Sequence, residues 1–369
     1  MSEPLKDGRR QSKTGIIIIN IKNMLQKILI TGGCGFIGAN AADHYLKKGH
    51  KVIAVDNLFR AGARQNLEWL KPKKNFVFAK VDIRNEQKLL EVFKKYKPDH
   101  ILHLAAQTTM VTSVTNPRED FEINALGTFN VLEAMRKTTP KASLIYSSTN
   151  KVYGEMLDVP VIERKNRYAY KNIKGISETR PLDFHGPYGC SKGCGDQYTI
   201  DYARIFGLNT MVFRQSGIYG PHQFGIEEQG WLAWFCNALL FNKPVTIYGD
   251  GKQVRDVLYV DDLLKAYDLA FKNIKKTRGK AYNIGGGPKF SLSIWELFDI
   301  LEKLTGKKFD YSFGPWRPGD QKVYISDIRR AEKEFGWSPK TSPREGVKKL
   351  YNWISQNKTL IKRAGVFRK

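Results

Sequence analysis

The chain has 369 residues, 41% of them hydrophobic and 26% charged, with a formal net charge of +25, so it can bury a large core and is not a disordered segment. Four cysteines, at positions 34, 190, 194 and 236, are too few and too scattered for a disulfide framework, and a reducing, cytoplasmic setting is expected. The basic excess would suit nucleic acid, a membrane surface, a polyanionic small molecule or simply a lysine-rich solvated surface, but no aromatic-basic repeat or nucleic-acid module accompanies it, so no nucleic-acid partner is expected.

In chain order, residues 1–23 read as an N-terminal extension of poor order. Their run Ile16-Ile-Ile-Ile19 stops at Asn20, far short of a bilayer span, and no small-residue cleavage site follows, so no membrane insertion is expected. The apolar run Lys27–Thr31 leads into Thr31-Gly-Gly-Cys-Gly-Phe-Ile-Gly38 and then a segment with helical apolar spacing. Strand, tight turn and helix in that order make a dinucleotide-binding Rossmann unit. Gly32 and Gly35 let the backbone turn and approach a pyrophosphate. Phe36 and Ile37 open the helix whose free N–H groups face the phosphates, and Gly38 lets helix and strand pack closely. A second strand, Lys51–Val55, ends at Asp56, about 20 residues on, where a carboxylate accepts hydrogen bonds from an adenosine ribose and repels a 2′-phosphate, so the expected cofactor is NAD.

Apolar runs and helical patterns go on alternating. Strands are expected at 76–81, 99–104, 142–147 and 209–213, and helices at 86–96, 118–137 and from Pro187 onwards. The fold class is therefore α/β, a Rossmann doubly wound parallel sheet over residues 24–220. Past Gly220, short strands at 244–248 and 254–257 mix with helices at 259–272, 292–304 and 344–355 and with dense turn chemistry. Residues 221–369 read as mainly a smaller mixed α/β substrate-binding lobe, with some chain exchange between the two. Open parallel sheets bind ligands outside the carboxyl ends of their strands, which places the expected site in the cleft between the lobes.

Tyr188 and Lys192, four apart on the helix beginning near Pro187, share one face of it. A free tyrosine titrates near pH 10, about three units above neutrality. The ammonium and the positive helix end are expected to lower the phenol and make Tyr188 a general acid/base, with Lys192 also reaching the nicotinamide ribose. Cys190 and Cys194 point the other way, lack a His or Cys partner for a zinc pattern, and read as small buried residues; no metal is expected.

Further along its length the chain carries Asp56-Asn57, Asp82-Ile83, Leu104-Ala-Ala-Gln107, Asn124 with Gly127-Thr128, Ser147-Ser-Thr-Asn-Lys-Val-Tyr-Gly154, Tyr219-Gly-Pro221 and Arg255-Asp256. With the glycine turn and the Tyr188/Lys192 pair, these resemble the extended short-chain dehydrogenase/reductase family of nucleotide-sugar epimerases and dehydratases over residues 25–355. The resemblance implies that Asn57, Asp82, Ile83, Leu104, Ala105, Ala106, Gln107, Asn124 and Ser147 join the cofactor site. It makes Thr149 the third catalytic residue, its hydroxyl bridging the substrate oxygen and Tyr188. Thr108, Thr149, Asn150, Gly217 and Gln229 fall on the substrate side by the same likeness, Gly217 standing where many members have Asn. Arg255 and Arg317 are diphosphate candidates because guanidinium donors match phosphate oxygens in pairs; Trp231, Trp234 and Phe235 read as lobe packing or as neighbours of the base.

Pro181-Leu-Asp-Phe-His185, Asp196-Gln-Tyr198, Asp201-Tyr-Ala-Arg204 and Gln229-Gly-Trp-Leu-Ala-Trp-Phe235 are similar to the family's 2-epimerases of CDP-linked deoxyhexoses. The implied activity is NAD-dependent epimerisation by transient oxidation to a keto sugar and re-reduction on the opposite face, in a homodimer or homotetramer. The family's dehydratases carry Asp-Glu after the catalytic Thr, whereas this chain has Asn150 and Lys151, so elimination lacks its acid and base. Two alternatives stand beside this reading: a UDP- or dTDP-sugar 4-epimerase or dehydrogenase, and a nonenzymatic Rossmann RNA-binding protein.

Overall fold

Five strands, β1 (Lys27–Thr31), β2 (Lys51–Asp56), β3 (Phe76–Lys80), β4 (His100–His103) and β5 (Ser143–Thr149), join Asn209–Gln215 and Ala281–Ile284 in one seven-stranded sheet. Every pairing in it is parallel, and the order runs β3, β2, β1, β4, β5, Asn209–Gln215, Ala281–Ile284. The chain winds outward from β1 to one edge and from β4 to the other, so a crevice opens between the carboxyl ends of β1 and β4. The computed structural model describes residues 25–317 and 319–367; the extension expected at residues 1–23 lies outside the described residues.

Alternate side chains of β1 serve two cores. Ile28 and Ile30 pack with Ala39, Ala42, Leu263 and Tyr267 on one face, and Leu29 with Val131, Leu132 and Tyr146 on the other. Burial on both faces is why these strands read as unbroken apolar runs. A further apolar centre gathers residues of helices Trp231–Leu240, Ile294–Thr305 and Pro343–Gln356, with Phe298 and Phe309 stacked at 3.7 Å. Helix Ile294–Thr305 starts two residues later than the 292–304 expected, because Ser291–Ser293 is a short strand; Ser293 accepts from the Glu296 amide while Glu296 caps the Ser293 amide in return. Among the described residues no helix is long and apolar enough to cross a membrane.

Three other sequence expectations change. Ala281–Ile284 forms the seventh strand, against Asn209–Gln215, although its four residues before Gly285-Gly-Gly287 carry too short a pattern to register as one. The helix expected at 118–137 is three pieces, Pro117–Phe121, a π turn at Glu122–Leu126, and Gly127–Thr138. Cys190 is exposed and Cys194 half-buried, because the sheet-facing side of helix Gly186–Ile205 is taken by Ser191, Lys192, Gly195 and Asp196; Cys34 and Cys236 are buried.

Candidate active site

At the end of β1 the chain turns through Gly32 at φ +66°, where an added Cβ would lie 2.8 Å from the Ala105 nitrogen. A Cβ on Gly38 would lie 2.1 Å from the Gly32 carbonyl oxygen, so helix α1 (Phe36–Lys47) meets the turn at backbone contact. The first N–H groups of α1, at Phe36, Ile37 and Gly38, precede the helical ladder, and no acidic side chain occupies that turn. Side-chain-free backbone ending in free donors is a cradle for a pyrophosphate, and the residues present fit NAD.

The walls of that cradle are tied down. Asp56 accepts from the Cys34 amide at 2.9 Å and the Leu58 amide at 2.8 Å. Burial raises its pKa and these backbone bonds oppose the shift. Asn57 donates to Asp82 at 3.0 Å, and the paired Arg84 guanidinium holds the Asp82 carboxyl down at about 2. Ile83 is buried against Gly127. Thr31 Oγ1 accepts from the amides of Leu104 (3.1 Å) and Ala105 (3.2 Å), which lays the run through Ala106 to Gln107 beside the glycine turn. Asn124 accepts from the Gln107 amide at 3.0 Å and donates to its carbonyl at 3.1 Å, so its amide supports Gln107 instead of facing outward. The π turn supplies the extra residue that aims Asn124 inward.

Thr149 ends β5, and Tyr188 and Lys192 look at it from helix Gly186–Ile205. The Thr149 hydroxyl lies close enough to the Tyr188 phenol to favour its ionised form, while its own hydrogen bonds run to the Asn150 side chain (3.3 Å) and from the Lys151 amide (3.2 Å). Lys192, 3% exposed, donates to the Ser147 carbonyl at 2.6 Å and lies 4.3 Å over the Tyr146 ring. Burial pulls its ammonium down to about 7 against the attraction of Asp196 and Asp120. Tyr188 is pushed up to about 12 by burial; Thr149 opposes this, Asp120 adds to it and Arg60 opposes it. The expected lowering of Tyr188 is thus not supplied by the chain itself: desolvation outweighs Thr149 and Arg60, and the Lys192 ammonium is spent on Ser147.

Behind the pair, Arg214 reaches both oxygens of the fully buried Asp196, at 3.0 and 2.9 Å, and Ser148 donates to the same carboxylate at 2.8 Å. This pins the helix to β5 and to Asn209–Gln215 one turn beyond Lys192. Sequence reading missed Asp196, Arg214 and the buried Asp120, because each partnership joins separate elements. It also missed Arg60, which faces both Tyr188 and Glu228.

A cavity of ≈ 210 Å³ is lined among others by Glu228, Gln229, Trp234, Tyr248, Arg255 and Arg317; Thr149, Tyr188 and Lys192 are not in its lining. Arg317 stacks 3.8 Å over the Tyr248 ring. Arg255 donates to the carbonyls of Val254 (2.9 Å) and Gln321 (2.6 Å) and pairs with Asp320 at 3.4 Å. Gln229 reaches Thr108 Oγ1 at 2.5 Å, and Thr149 donates to Asn150 at 3.3 Å. Trp231, Trp234 and Phe235 both line the cavity and pack into the Phe298 centre. Gly217 stands apart from the lining: at φ +57° it packs where a Cβ would meet the Asp256 carbonyl oxygen at 2.0 Å, and it presents no side chain to a ligand.

Residues 29–350 match the model of a family described as GDP-mannose 4,6-dehydratase. The chain is 48% identical over 335 residues to the CDP-paratose 2-epimerase of Salmonella typhi, covering 89% of this chain and 99% of that protein. Among solved structures, UDP-glucose 4-epimerase of Thermotoga maritima with UDP-glucose has 34% identity and a TM-score of 0.78, covering 90% of this chain and 99% of that one. The Thermus thermophilus UDP-glucose 4-epimerase complex with NAD has 31% identity and a TM-score of 0.77, covering 89% and 98%. The RNA-binding alternative finds no support in these relatives.

Proposed function

The chain belongs to the GDP-mannose 4,6-dehydratase family of NAD-dependent nucleotide-sugar epimerases and dehydratases, and we propose that within it the protein is a 2-epimerase of a CDP-linked deoxyhexose, interconverting sugars in the manner of CDP-paratose and CDP-tyvelose. The observation that carries this reading is the cluster of Thr149, Tyr188 and Lys192 with Asn150 and Lys151 following Thr149. Elimination needs an acid for the departing hydroxyl and a base for the neighbouring proton; an amide and an ammonium replace both, so the family's dehydratase outcome lacks its groups.

NAD, the cofactor, would supply reversible hydride transfer at carbon 2 when bound. Tyr188 takes the hydroxyl proton and gives it back, and Thr149 orients both the phenol and the substrate oxygen. Lys192 would hold the nicotinamide ribose, and the positive charge of bound NAD would favour the deprotonated phenol. Gly32, Gly35, Phe36, Ile37 and Gly38 cradle the pyrophosphate and Asp56 takes the adenosine ribose. Asn57, Asp82, Ile83, Ser147 and the Leu104–Gln107 run complete the cofactor wall, with Asn124 as its brace. Thr108, Asn150, Gln229, Arg255 and Arg317 hold the nucleotide sugar.

The division into a cofactor lobe, mainly residues 24–220, and a substrate lobe, mainly 221–369, belongs to the same reading, as does a cytoplasmic setting. So does assembly through the helices Gly127–Thr138 and Gly186–Ile205, which expose Phe129, Tyr198, Ile205 and Phe206, an apolar face that suits a homodimer or homotetramer. Mass spectrometry of ligands released from purified protein, followed by assay of CDP-, UDP- and dTDP-sugars, tests the function. Bound NAD and inversion confined to a CDP-sugar are expected; inversion at carbon 4 of a UDP- or dTDP-sugar would replace this reading with the 4-epimerase alternative.

A further inference from the structure

We propose that Lys151 is a substrate-binding residue whose ammonium takes a diphosphate oxygen of the nucleotide sugar, an assignment that rests on the nucleotide-sugar reading above. Lys151 belongs to the short 3-10 turn Asn150–Tyr153, and its amide donates to Thr149 Oγ1 at 3.2 Å. The hydroxyl that meets Tyr188 therefore also fixes where the Lys151 side chain begins. From there the half-buried side chain crosses to the loop after strand Tyr311–Gly314, and Nζ donates to the Gly319 carbonyl at 3.1 Å. An ammonium has three N–H donors, and among the described residues this neutral carbonyl is the acceptor it meets.

The charges around it are committed to one another. Arg255 faces it from strand Val254–Asp256, Asp320 from the loop and Glu155 from the segment after its own turn. Asp320 already pairs with Arg255 at 3.4 Å, and Glu155 with His185 at 3.3 Å if that ring is protonated. The Lys151 ammonium thus faces two carboxylates without pairing directly with either, and burial followed by Arg255 repulsion brings it down to about 8. A largely buried ammonium held only by a neutral carbonyl is costly unless an anion completes it. A sugar hydroxyl would leave the ammonium unpaired, whereas a diphosphate would pair it, and Arg255 and Arg317, with Glu227, Glu228 and Asp320, line a cavity beside Arg255. Sequence reading had used Lys151 only as a missing base.

The test is calorimetric titration of CDP, which carries no sugar, into the NAD-loaded protein, for wild type, Lys151→Met and Lys151→Arg. Lys151→Met should weaken CDP about 10- to 100-fold, the range of a charge-assisted bond, while Lys151→Arg stays close to wild type. The ammonium is charged below its pKa and an anion raises that pKa further. Wild-type affinity should therefore fall between about pH 7.5 and about pH 9.5, and the Met variant should lack that component of the fall. Unchanged NAD content and melting temperature show that the variants are folded; if Lys151→Met does not fold, Lys151→Gln replaces it. CDP binding untouched by the loss of the ammonium overturns the proposal, as does an effect confined to KM for the complete CDP-sugar, which would assign Lys151 to the sugar. Wild-type protein that binds neither CDP nor UDP nor dTDP would instead overturn the functional reading beneath it.

Discussion

The two walls of the cleft are built on different terms. The wall formed by sheet ends and helix Gly186–Ile205 is matched internally: Asn124 is spent on Gln107, Asp196 on Arg214 and Ser148, and His103 on Thr31 at 2.7 Å and Thr128 at 3.0 Å. The opposite wall, carrying Arg255, Arg317 and the loop that Lys151 reaches, holds cations whose protein partners are carbonyls, an aromatic face or one carboxylate. A wall with its polar groups already satisfied is rigid before any ligand arrives, which suits chemistry that needs fixed geometry. A wall whose guanidinium and ammonium groups meet few charged partners can take its complement from a substrate, which suits recognition. On the proposed reading, reaction type and substrate choice would be carried by different parts of the chain.

Substitutions that should act on one wall and spare the other sharpen this contrast. Tyr188→Phe removes the proton carrier and should lower turnover by about 10²- to 10⁴-fold with NAD still bound, as seen by released-ligand mass spectrometry; near-normal turnover would remove Tyr188 from the reaction. Arg214→Met leaves Asp196 buried without its cation and should cost about 3–5 kcal/mol in urea unfolding, whereas a loss below about 1 kcal/mol would mean the matched wall does not depend on that pair. Arg317→Ala, across the cleft, should raise KM about tenfold with kcat and stability little changed; a fall in kcat instead would give the recognition wall a part in the chemistry.

The remaining effect, spread over several pH units, is on acid stability. Burial keeps the His103 pKa down at about 3, against about 6.5 in an unfolded chain. The unfolded state therefore binds the extra proton between those values. The contribution is complete above about pH 6.5 and is lost as pH falls towards 3, at about 1.4 kcal/mol per pH unit. His103→Gln should flatten that slope in acid unfolding, and an unchanged slope would assign the loss to other groups.

Where a structural feature is local in sequence it was legible in advance. The glycine turn, Asp56 at a strand end and the shared helix of Tyr188 and Lys192 are each set by one turn, one strand or one helix, and the structure forms all three. The rest depends on what lies across from a residue. Ala281–Ile284 becomes a strand through pairing with Asn209–Gln215, and the π turn answers the need to aim Asn124 at Gln107. The exposure of Cys190 follows from which helix face the sheet claims. The Tyr188 shift was misjudged because spacing reveals an ammonium nearby but not how deeply both groups are buried. Arg60 was invisible because its neighbours lie on other elements.

The most direct test of the central claim follows the hydrogen on carbon 2. A CDP-linked deoxyhexose carrying deuterium there, incubated with the NAD-loaded protein, should yield the C2 epimer with the label retained and no accumulation of NADH. Label lost to solvent, or NADH accumulating in step with product, would contradict an oxidation and re-reduction completed within one site.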